Sequence, residues 1–244
     1  MNYADILPLL HTCVDEISLA IVEHRGRGYS GQRPTQYHLD LAADAAGLSI
    51  FHAAGYRVVS EESGVTGDGE FTVVMDPIDG STNCDRGIPF YACSLAVLRE
   101  GELVAGLVAN LATGTRYSAT RGGGAFRDGE RITARKTTVM EEAIVSFSGL
   151  AQHHLGWAQV RAMGAASLEC CLVADGSLDA YSVAQQSSLH PWDYLAGLLI
   201  CHEAGAVAGD YRGEELITDV MEERHPVFAA TQELLTEFLA APSL

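Results

Sequence analysis

The sequence predicts a mixed α/β protein of two lobes, an α+β lobe over residues 1–145 and an α/β lobe over residues 146–244. Strand-like runs separated by glycine-containing turns occupy residues 89–134, which is typical of hairpins in an antiparallel sheet. Beyond the first lobe, helical and strand-like spacings alternate, as they do in an α/β unit. A chain of 244 residues is long enough for two such lobes to share an interface.

The first lobe opens with two predicted helices. Apolar side chains recur at helical spacing over residues 3–24 and again over residues 39–54. Between them, residues 25–36 are polar and rich in glycine and arginine, so we expect a loop there.

Short strands are predicted next. Residues 56–59 form one, and the following VTGDGE at 65–70 is interpreted as a turn. The β-branched run at 71–75 is typical of a buried strand with Asp76 at its end. Because Pro77 has no amide proton for a ladder hydrogen bond, we expect the strand to end there.

The second lobe begins with a predicted strand at 144–147. A helix over 165–174, a strand over 178–182, a helix over 192–203 and a closing helix after Thr231 follow.

Composition narrows the range of partners. Hydrophobic residues make up 48% of the chain and charged residues 19%, which excludes a disordered protein. The formal net charge is -17, and Lys136 is the one lysine, so nucleic acid and anionic membranes are poor partners. If the substrate is a phosphate, bound metal ions are therefore the expected source of positive charge.

The cysteines indicate neither a disulfide framework nor a zinc knuckle, because they contain no C-x-x-C pair. Adjacent Cys170 and Cys171 are interpreted as buried residues of a helix. The N-terminus lacks a secretory signal pattern and no apolar run is long enough to cross a bilayer, so we expect a soluble, cytoplasmic protein.

The segment DPIDGSTN at 76–83 places two carboxylates three residues apart, directly after a strand. Asp76 and Asp79 should repel each other unless a cation lies between them, and the carbonyl of Ile78 is expected to face the same ion. Oxygen ligands of this kind suit Mg²⁺ or Mn²⁺.

Gly80 and Ser81 follow at the start of a possible short helix. Gly80 permits close backbone approach, and amides at a helix start can hold a phosphate oxygen. Ser81 would then lie beside both metal and phosphate. The alternative is that Asp79 and Ser81 only cap a helix or form a turn.

Further acids strengthen the metal interpretation. Glu61 and Glu62 follow the strand at 56–59, and Asp193 lies in the first turn of the helix at 192–203. Separately, the glutamates are compatible with a solvated face and Asp193 with an N-cap. Together they form a group of carboxylates that is costly to assemble without bound cations.

Three motifs taken together resemble the inositol monophosphatase family: EES at 61–63, DPIDGSTN at 76–83 and WDYLAG at 192–197. The resemblance covers most of the chain, including RGGGAF at 121–126 and GAA at 164–166. It implies a layered αβαβα sandwich like that of inositol monophosphatase and fructose-1,6-bisphosphatase.

The resemblance also implies ligands for two or three Mg²⁺ ions, with Mn²⁺ as a substitute. One ion would be held by Glu61, Asp76 and the Ile78 carbonyl, and a second by Asp76, Asp79 and Asp193. Glu62 would bind a third ion or its water.

Catalytic and substrate roles follow from the same resemblance. The nucleophile is a water activated by the Ser81 hydroxyl, with Asp40 as its partner and Asp44 as the alternative. Residues implied to contact phosphate or substrate are Gly80, Ser81, Gly164, Ala165, His190 and Asp193.

One departure leaves the substrate open. Inositol-specific relatives carry a glutamate in the segment that corresponds to 182–191, whereas this chain offers Gln185, Gln186, Ser187 and His190, which also suit an ordinary polar loop. Segments 182–191 and 25–36 are therefore the expected sources of specificity.

The expected activity is Mg²⁺-dependent hydrolysis of inositol monophosphate or a related sugar or metabolite phosphate. Histidinol phosphate and 3'-phosphoadenosine 5'-phosphate are alternatives. The resemblance further implies inhibition by Li⁺ and a homodimer. A catalytically silent binding module is the rival from another class, although the expected metal ligands are all present.

Overall fold

A computed structural model describes residues 3–23, 28–33, 35–184 and 186–241. The helices are α1 (Leu7–Glu23), α2 (His38–Ala53), α3 (Ser81–Arg86), α4 (Ala166–Ala174), α5 (Pro191–Ala204) and α6 (Gln232–Ala240). Single 3-10 turns occur at Tyr3–Ile6 and Met140–Glu142.

Two sheets contain the strands. The first has eight strands in the order β2-β1-β3-β4-β5-β6-β7-β8, and all neighbours are antiparallel except the parallel pair β1 and β3. Its strands are β1 (Arg57–Ser60), β2 (Gly64–Thr66), β3 (Phe71–Asp79), β4 (Ala92–Arg99), β5 (Glu102–Asn110), β6 (Arg116–Thr120), β7 (Gly124–Arg127) and β8 (Glu130–Arg131).

The second sheet has five strands in the order β10-β9-β11-β13-β12. They are β9 (Ile144–Ser148), β10 (Gln159–Arg161), β11 (Ala180–Val183), β12 (Val207–Asp210) and β13 (Pro226–Ala229). Strand β9 lies between two parallel neighbours, whereas β13 lies between two antiparallel ones.

The sheets and helices stack as a layered αβαβα sandwich. Helices α1 and α2 pack together on one face of the first sheet, and α5 packs on the other face against β3, β4 and β5. Helix α4 packs against α5 and against β11 of the second sheet, and α6 covers β12 and β13 from outside. The predicted mixed α/β class and layered architecture are confirmed.

The largest group of buried apolar side chains lies between the sheets, around α4 and α5. This position explains why α5 is apolar nearly all the way round, since a helix between two sheets has no solvent-facing side. The start of α5, where Asp193 lies, is thereby fixed against the strands that carry the other predicted metal ligands.

Two strand predictions were wrong. Strand β3 continues through Pro77 to Asp79, because the pairing with β4 shifts register between Asp76 and Asp79. At such a bulge the proline is not required to donate a ladder hydrogen bond. The segment 65–70, which was predicted as a turn, begins in strand β2. The pairing of β2 with β1 cannot be detected from local composition.

Strands β10, β12 and β13 were not predicted, since they are short and none shows apolar–polar alternation in its burial. All six cysteines are buried and unpaired, and the burial expected for Cys170 and Cys171 is confirmed. No helix within the described residues is long and apolar enough to span a membrane.

Candidate metal centre and active site

Asp76 and Asp79 are held at the register shift of β3. Both side chains are almost completely buried. One Asp76 oxygen accepts the amide proton of Ile78 at 2.9 Å, which fixes the carboxylate against its own strand. The local backbone thus turns two acids of one strand toward the same end of the sheet.

Asp193 reaches the same place from α5. His190 is the N-cap of this helix and Pro191 follows it, so Asp193 lies in the first turn, where its carboxylate accepts the His190 amide at 2.7 Å. The Ser94 hydroxyl donates to the Trp192 carbonyl at 2.9 Å, and Ser94 is the strand partner of Asp76. These contacts bind the start of α5 to the strand beside β3.

Asp76, Asp79 and Asp193 together offer three carboxylate oxygens within 4.8 Å of one another. Within the described residues, none of the ion pairs joins these acids to a basic side chain. Burial first, and then repulsion from the neighbouring acids, raises the pKa of Asp76 and of Asp193 well above the ordinary value. Hard oxygen donors that repel one another fit a divalent cation.

Glu61 places a further carboxylate beside Asp76. Its amide donates to the Met75 carbonyl at 3.2 Å, because β1 and β3 run parallel, and this places Glu61 beside Asp76. Burial, with smaller contributions from Glu62, Asp40 and Asp79, raises the pKa of Glu61 to about 7. A side-chain hydrogen bond with Asp76 lowers the pKa of Glu61 and so partly offsets this rise.

Asp79 is oriented by the start of α4. Its carboxylate accepts the amides of Ala166 and Ser167 at 3.2 and 2.7 Å, and also the Ser167 hydroxyl. These donors form the start of α4, where unpaired amides favour a negative charge. Burial still raises the pKa of Asp79, to about 6, although these bonds oppose the shift.

The phosphate-binding candidates Gly80, Gly164 and Ala165 also meet. Gly80 has a φ of +80°, and a Cβ there would lie 2.8 Å from the Gly164 carbonyl oxygen and 3.1 Å from the Ala165 Cβ. Only glycine fits this approach. The Asn83 amide nitrogen donates to the carbonyls of Met163 and Phe90 at 2.8 and 2.7 Å, which ties α3 to the same turn.

A cavity of about 450 Å³ opens beside the metal candidates. Four predicted residues line it together with four others, namely Arg33, Thr35, Gln36, Asp40, Glu61, Glu62, Ser81 and Thr82. The candidate catalytic residues Ser81, Asp40 and Glu62 therefore share one space with the candidate metal ligand Glu61.

Asp40 and Asp44 occupy different surroundings on α2. Asp40 lines the cavity, accepts the Tyr37 amide at 2.8 Å through Oδ2, and has no hydrogen-bond partner for Oδ1 among the described residues. Burial raises the pKa of Asp40 to about 7. Asp44 instead accepts the hydroxyls of Ser60 and Ser63, so its oxygens support the turn after β1.

Glu62 is engaged by the chain itself. Its Oε2 accepts hydrogen bonds from the Arg33 guanidinium and from the Gln36 side chain, while Arg33 also donates to the Glu61 carbonyl at 3.1 Å. The side chain of Glu62 is only 5% exposed, compared with 46% for Arg33. Glu62 thus anchors the segment before α2 to the rim of the cavity.

His190 does not line the cavity. Its ring stacks on Trp192 with centroids 4.7 Å apart, and its backbone caps α5. Burial lowers its pKa. Gln185 lies outside the described residues, as do Arg25 and Arg27 of the predicted specificity loop.

Arg33, Thr35 and Gln36 lie in segment 25–36, which was expected to contribute to specificity, although they were not singled out. Thr82, Asn83 and Ser167 were not predicted as site residues. Thr82 and Asn83 belong to the DPIDGSTN segment, so their position beside Ser81 was available as a signal. The contact between Ser167 and Asp79 spans 88 positions and leaves no local pattern.

The layered fold and the carboxylate group are suited to an enzyme that binds a divalent cation beside a polar substrate cavity. Residues 51–243 match the model of the inositol monophosphatase family. The chain belongs to this family, is a phosphoric monoester hydrolase, and acts on a phosphorylated small molecule.

Relatives agree over nearly the whole length. The chain is 34% identical to a fructose-1,6-bisphosphatase/inositol-1-monophosphatase of Archaeoglobus fulgidus, covering 98% of both chains. It is 35% identical to a fructose-1,6-bisphosphatase of Pyrococcus furiosus, covering 83% of this chain and 81% of the relative. A solved protein of Pyrococcus horikoshii with similarities to inositol-1 monophosphatase superposes with a TM-score of 0.88, at 27% identity and 100% coverage of both chains.

Proposed function

We propose that this chain hydrolyses a small sugar or polyol phosphate with Mg²⁺ bound by Asp76, Asp79, Asp193 and Glu61. The observation that carries the proposal is a group of three carboxylates, those of buried Asp76 and Asp79 and partly buried Asp193, without a basic partner among the described residues and beside a polar cavity. The Ile78 carbonyl belongs to the proposed ligand set because it lies between Asp76 and Asp79. When bound, Mg²⁺ neutralises phosphate charge and lowers the pKa of the attacking water.

The chain's own residues supply orientation and proton transfer. The Ser81 hydroxyl lies in the cavity at the start of α3, next to Gly80. Asp40 lines the same cavity, and its buried Oδ1 has no hydrogen-bond partner among the described residues. Its raised pKa of about 7 suits a group that takes up a proton near neutral pH. We assign Ser81 to orient the water and Asp40 to receive its proton.

A revised role is proposed for Glu62. Because its carboxylate already accepts bonds from Arg33 and Gln36, we assign it to hold the cavity rim rather than a third metal ion. Gly80, Gly164 and Ala165 are assigned to the phosphate side, where the two lobes meet.

The substrate proposal rests on the relatives' names. Three relatives that match 83–98% of the chain are fructose-1,6-bisphosphatases, and two of these are also inositol-1-monophosphatases, so fructose 1,6-bisphosphate joins inositol 1-phosphate as a first candidate. The cavity of about 450 Å³ is large enough for either. Histidinol phosphate and 3'-phosphoadenosine 5'-phosphate remain the alternatives.

The deciding experiment measures release of inorganic phosphate from these four compounds with Mg²⁺, with Mn²⁺ and with EDTA. We expect turnover of a sugar or inositol phosphate that EDTA abolishes. Turnover confined to histidinol phosphate or the adenosine compound would replace the substrate proposal. Turnover that persists in EDTA would overturn the metal proposal, and silence on all four would favour the binding module.

A homodimer is part of the proposal. Strand β10 is an edge of the second sheet; Val160 in this strand is 52% exposed and Leu150, which lines the same groove, is 87% exposed. A second copy would cover these apolar side chains. Light scattering at micromolar concentration tests this, and a monomer mass throughout would remove the dimer from the proposal.

A further inference from the structure

Glu169 is a buried acid outside the cavity. It lies in the first turn of α4 and is 1% exposed. Its Oε1 accepts the Ser146 hydroxyl and, at 3.1 Å, the Met163 amide. Burial raises its pKa to about 7, although hydrogen bonds from Ser146, Met163 and Gly164 oppose the shift.

No ion pair joins Glu169 to a basic side chain in the described part of the chain. Glutamate is rarely buried without a charged partner, because removing its charge from water is costly. The hydrogen bonds that this carboxyl accepts from the backbone of the 163–164 turn partly offset that cost.

The turn that Glu169 holds is the contact between the lobes at the site. The carbonyls of Met163 and Gly164 accept the Asn83 side chain at 2.8 and 3.4 Å. The same turn leads directly into α4, whose first amides donate to Asp79. Any shift of this turn therefore changes the direction in which those amides point.

We propose that Glu169 is a positioning residue, which fixes the 163–164 turn so that the start of α4 holds the metal ligand Asp79 in one orientation. This inference rests on the proposed function, because it assigns Asp79 to a metal. Glu169 itself touches neither the metal ligands nor the substrate. Residues that orient metal ligands from outside the first coordination sphere typically change metal affinity or activity by about 10- to 100-fold.

The chain offers a matched control in Glu203. Its carboxylate also accepts two backbone amides of a glycine turn, those of Gly122 and Gly124, at 2.6 and 2.7 Å. It lies ten residues beyond Asp193 on α5, which is about 15 Å along the helix. Glu203→Ala therefore removes a similar anchor far from the metal ligands.

The experiment compares wild type, Glu169→Ala, Glu169→Gln and Glu203→Ala in the full chain. Calorimetry measures the Kd for Mg²⁺, hydrogen exchange of the metal-free protein measures protection of segment 163–167, and melting measures Tm. For Glu169→Ala we expect an Mg²⁺ Kd about tenfold weaker and faster exchange of that segment. Glu169→Gln keeps an acceptor oxygen for the Met163 amide, so it should remain within about threefold of wild type, and Glu203→Ala should lower Tm only.

An Mg²⁺ Kd that is unchanged in Glu169→Ala, with a Tm loss like that of Glu203→Ala, would show that Glu169 is merely structural. If Glu169→Ala does not fold, Glu169→Asp replaces it, since the shorter acid cannot reach the turn, and the same weakening is expected. If wild type itself binds no Mg²⁺, the proposed function fails together with this inference. Wild-type binding with unaffected Glu169 variants overturns the inference alone.

Discussion

The site has an inner side, formed by the carboxylates beside the cavity, and an outer side, formed by the cavity rim. These two sides balance their negative charge in different ways. On the inner side, Asp76, Asp79 and Asp193 place their oxygens within 4.8 Å of one another, with no basic partner among the described residues. On the outer side, Glu62 is paired with Arg33 and Gln36. On the outer side, the folded chain itself supplies the positive charge that balances the carboxylate. On the inner side, an external cation is required to offset the repulsion between the carboxylates.

Acidic side chains also have different structural roles on the two sides. The outer acid fixes the polypeptide, since Arg33 and Gln36 precede α2 and are tied to the turn after β1. The inner acids are themselves fixed, by the amides at the starts of α4 and α5. Substitutions on the inner side should therefore change chemistry, and those on the outer side should change the shape of the cavity.

The largest effect is expected for Asp193→Asn. Charge stabilisation by a bound metal is worth several kcal/mol, and each ~1.4 kcal/mol is tenfold in rate, so kcat/KM should fall by about 1000-fold or more. The metal-free protein should lose no stability, because one repelling charge is removed while the side-chain oxygen still accepts the His190 amide.

Phosphate-release kinetics and thermal melting measure both effects. Asp219→Asn is the control, because Asp219 is an exposed acid paired with Arg57 on the surface. An Asp193→Asn enzyme with near wild-type turnover would show that the inner acids do not bind the catalytic metal.

The second effect distinguishes Asp40 from Asp44. Asp40→Asn removes the proposed proton acceptor, and kcat should fall on the order of 100-fold with KM nearly unchanged, as is usual when a general base is lost. Asp44→Asn should lower Tm while kcat stays within about threefold, because Asp44 bonds Ser60 and Ser63 outside the cavity. The opposite result in steady-state kinetics would move the proton-accepting role to Asp44.

The third effect is a pH dependence of metal binding. The pKa of Asp79 is raised to about 6 and that of Glu61 to about 7, so protons compete with Mg²⁺ below neutral pH. For each proton released, affinity should rise by up to about tenfold per pH unit, below about pH 6 for Asp79 and below about pH 7 for Glu61. Calorimetry in buffers of different ionisation heat measures the affinity and the protons.

Stability of the metal-free protein should change in the opposite direction. Because these acids have a higher pKa folded than unfolded, the folded state binds more protons, and stability falls as pH rises from about 4 to about 7. Melting at about pH 5 and pH 7.5 tests the sign. A metal-free Tm that rises over this range, with flat Mg²⁺ affinity, would contradict the picture of a repelling inner side.

The inner side was predictable from sequence, whereas on the outer side only Glu62 and segment 25–36 were predicted, and not the bonds between them. Asp76 and Asp79 share one short motif, and Asp193 lies in another at a helix start, so local patterns indicated both. The bond between Arg33 and Glu62 joins positions 29 apart, and that between Ser146 and Glu169 joins strand to helix within the second lobe. Such pairs depend on how elements pack, which residue spacing does not encode.

The same difference between local patterns and long-range contacts applies to the fold. The helices and the long strands β3, β4 and β5 have strong apolar patterns and were predicted to within a few residues. The continuation of β3 past Pro77 was not, because it depends on a bulge against β4. The lobe boundary near residue 145 stays a prediction.

The smallest effect is expected for Arg33→Met, which keeps most of the stem but removes the charge. The outer side then loses its cation, the rim near Gln36 is held less firmly, and KM for the substrate should rise by about three- to tenfold with kcat little changed. Arg33 is partly exposed, so the stability change should stay within about 1 kcal/mol. Mg²⁺ affinity should not weaken, because the removed charge is a cation.

A double-mutant cycle with Glu62→Gln tests whether the pair acts as one unit. The glutamine can still exchange a hydrogen bond with Gln36, so the double variant should lose less than the sum of the two single losses in kcat/KM. Arg161→Met, in the exposed edge strand β10, is the control for losing an arginine from this acidic protein. Additive losses, or an equal rise of KM in Arg161→Met, would show that Glu62 and Arg33 do not form a functional rim. The charge balance of the inner side would then be the only one that matters for catalysis.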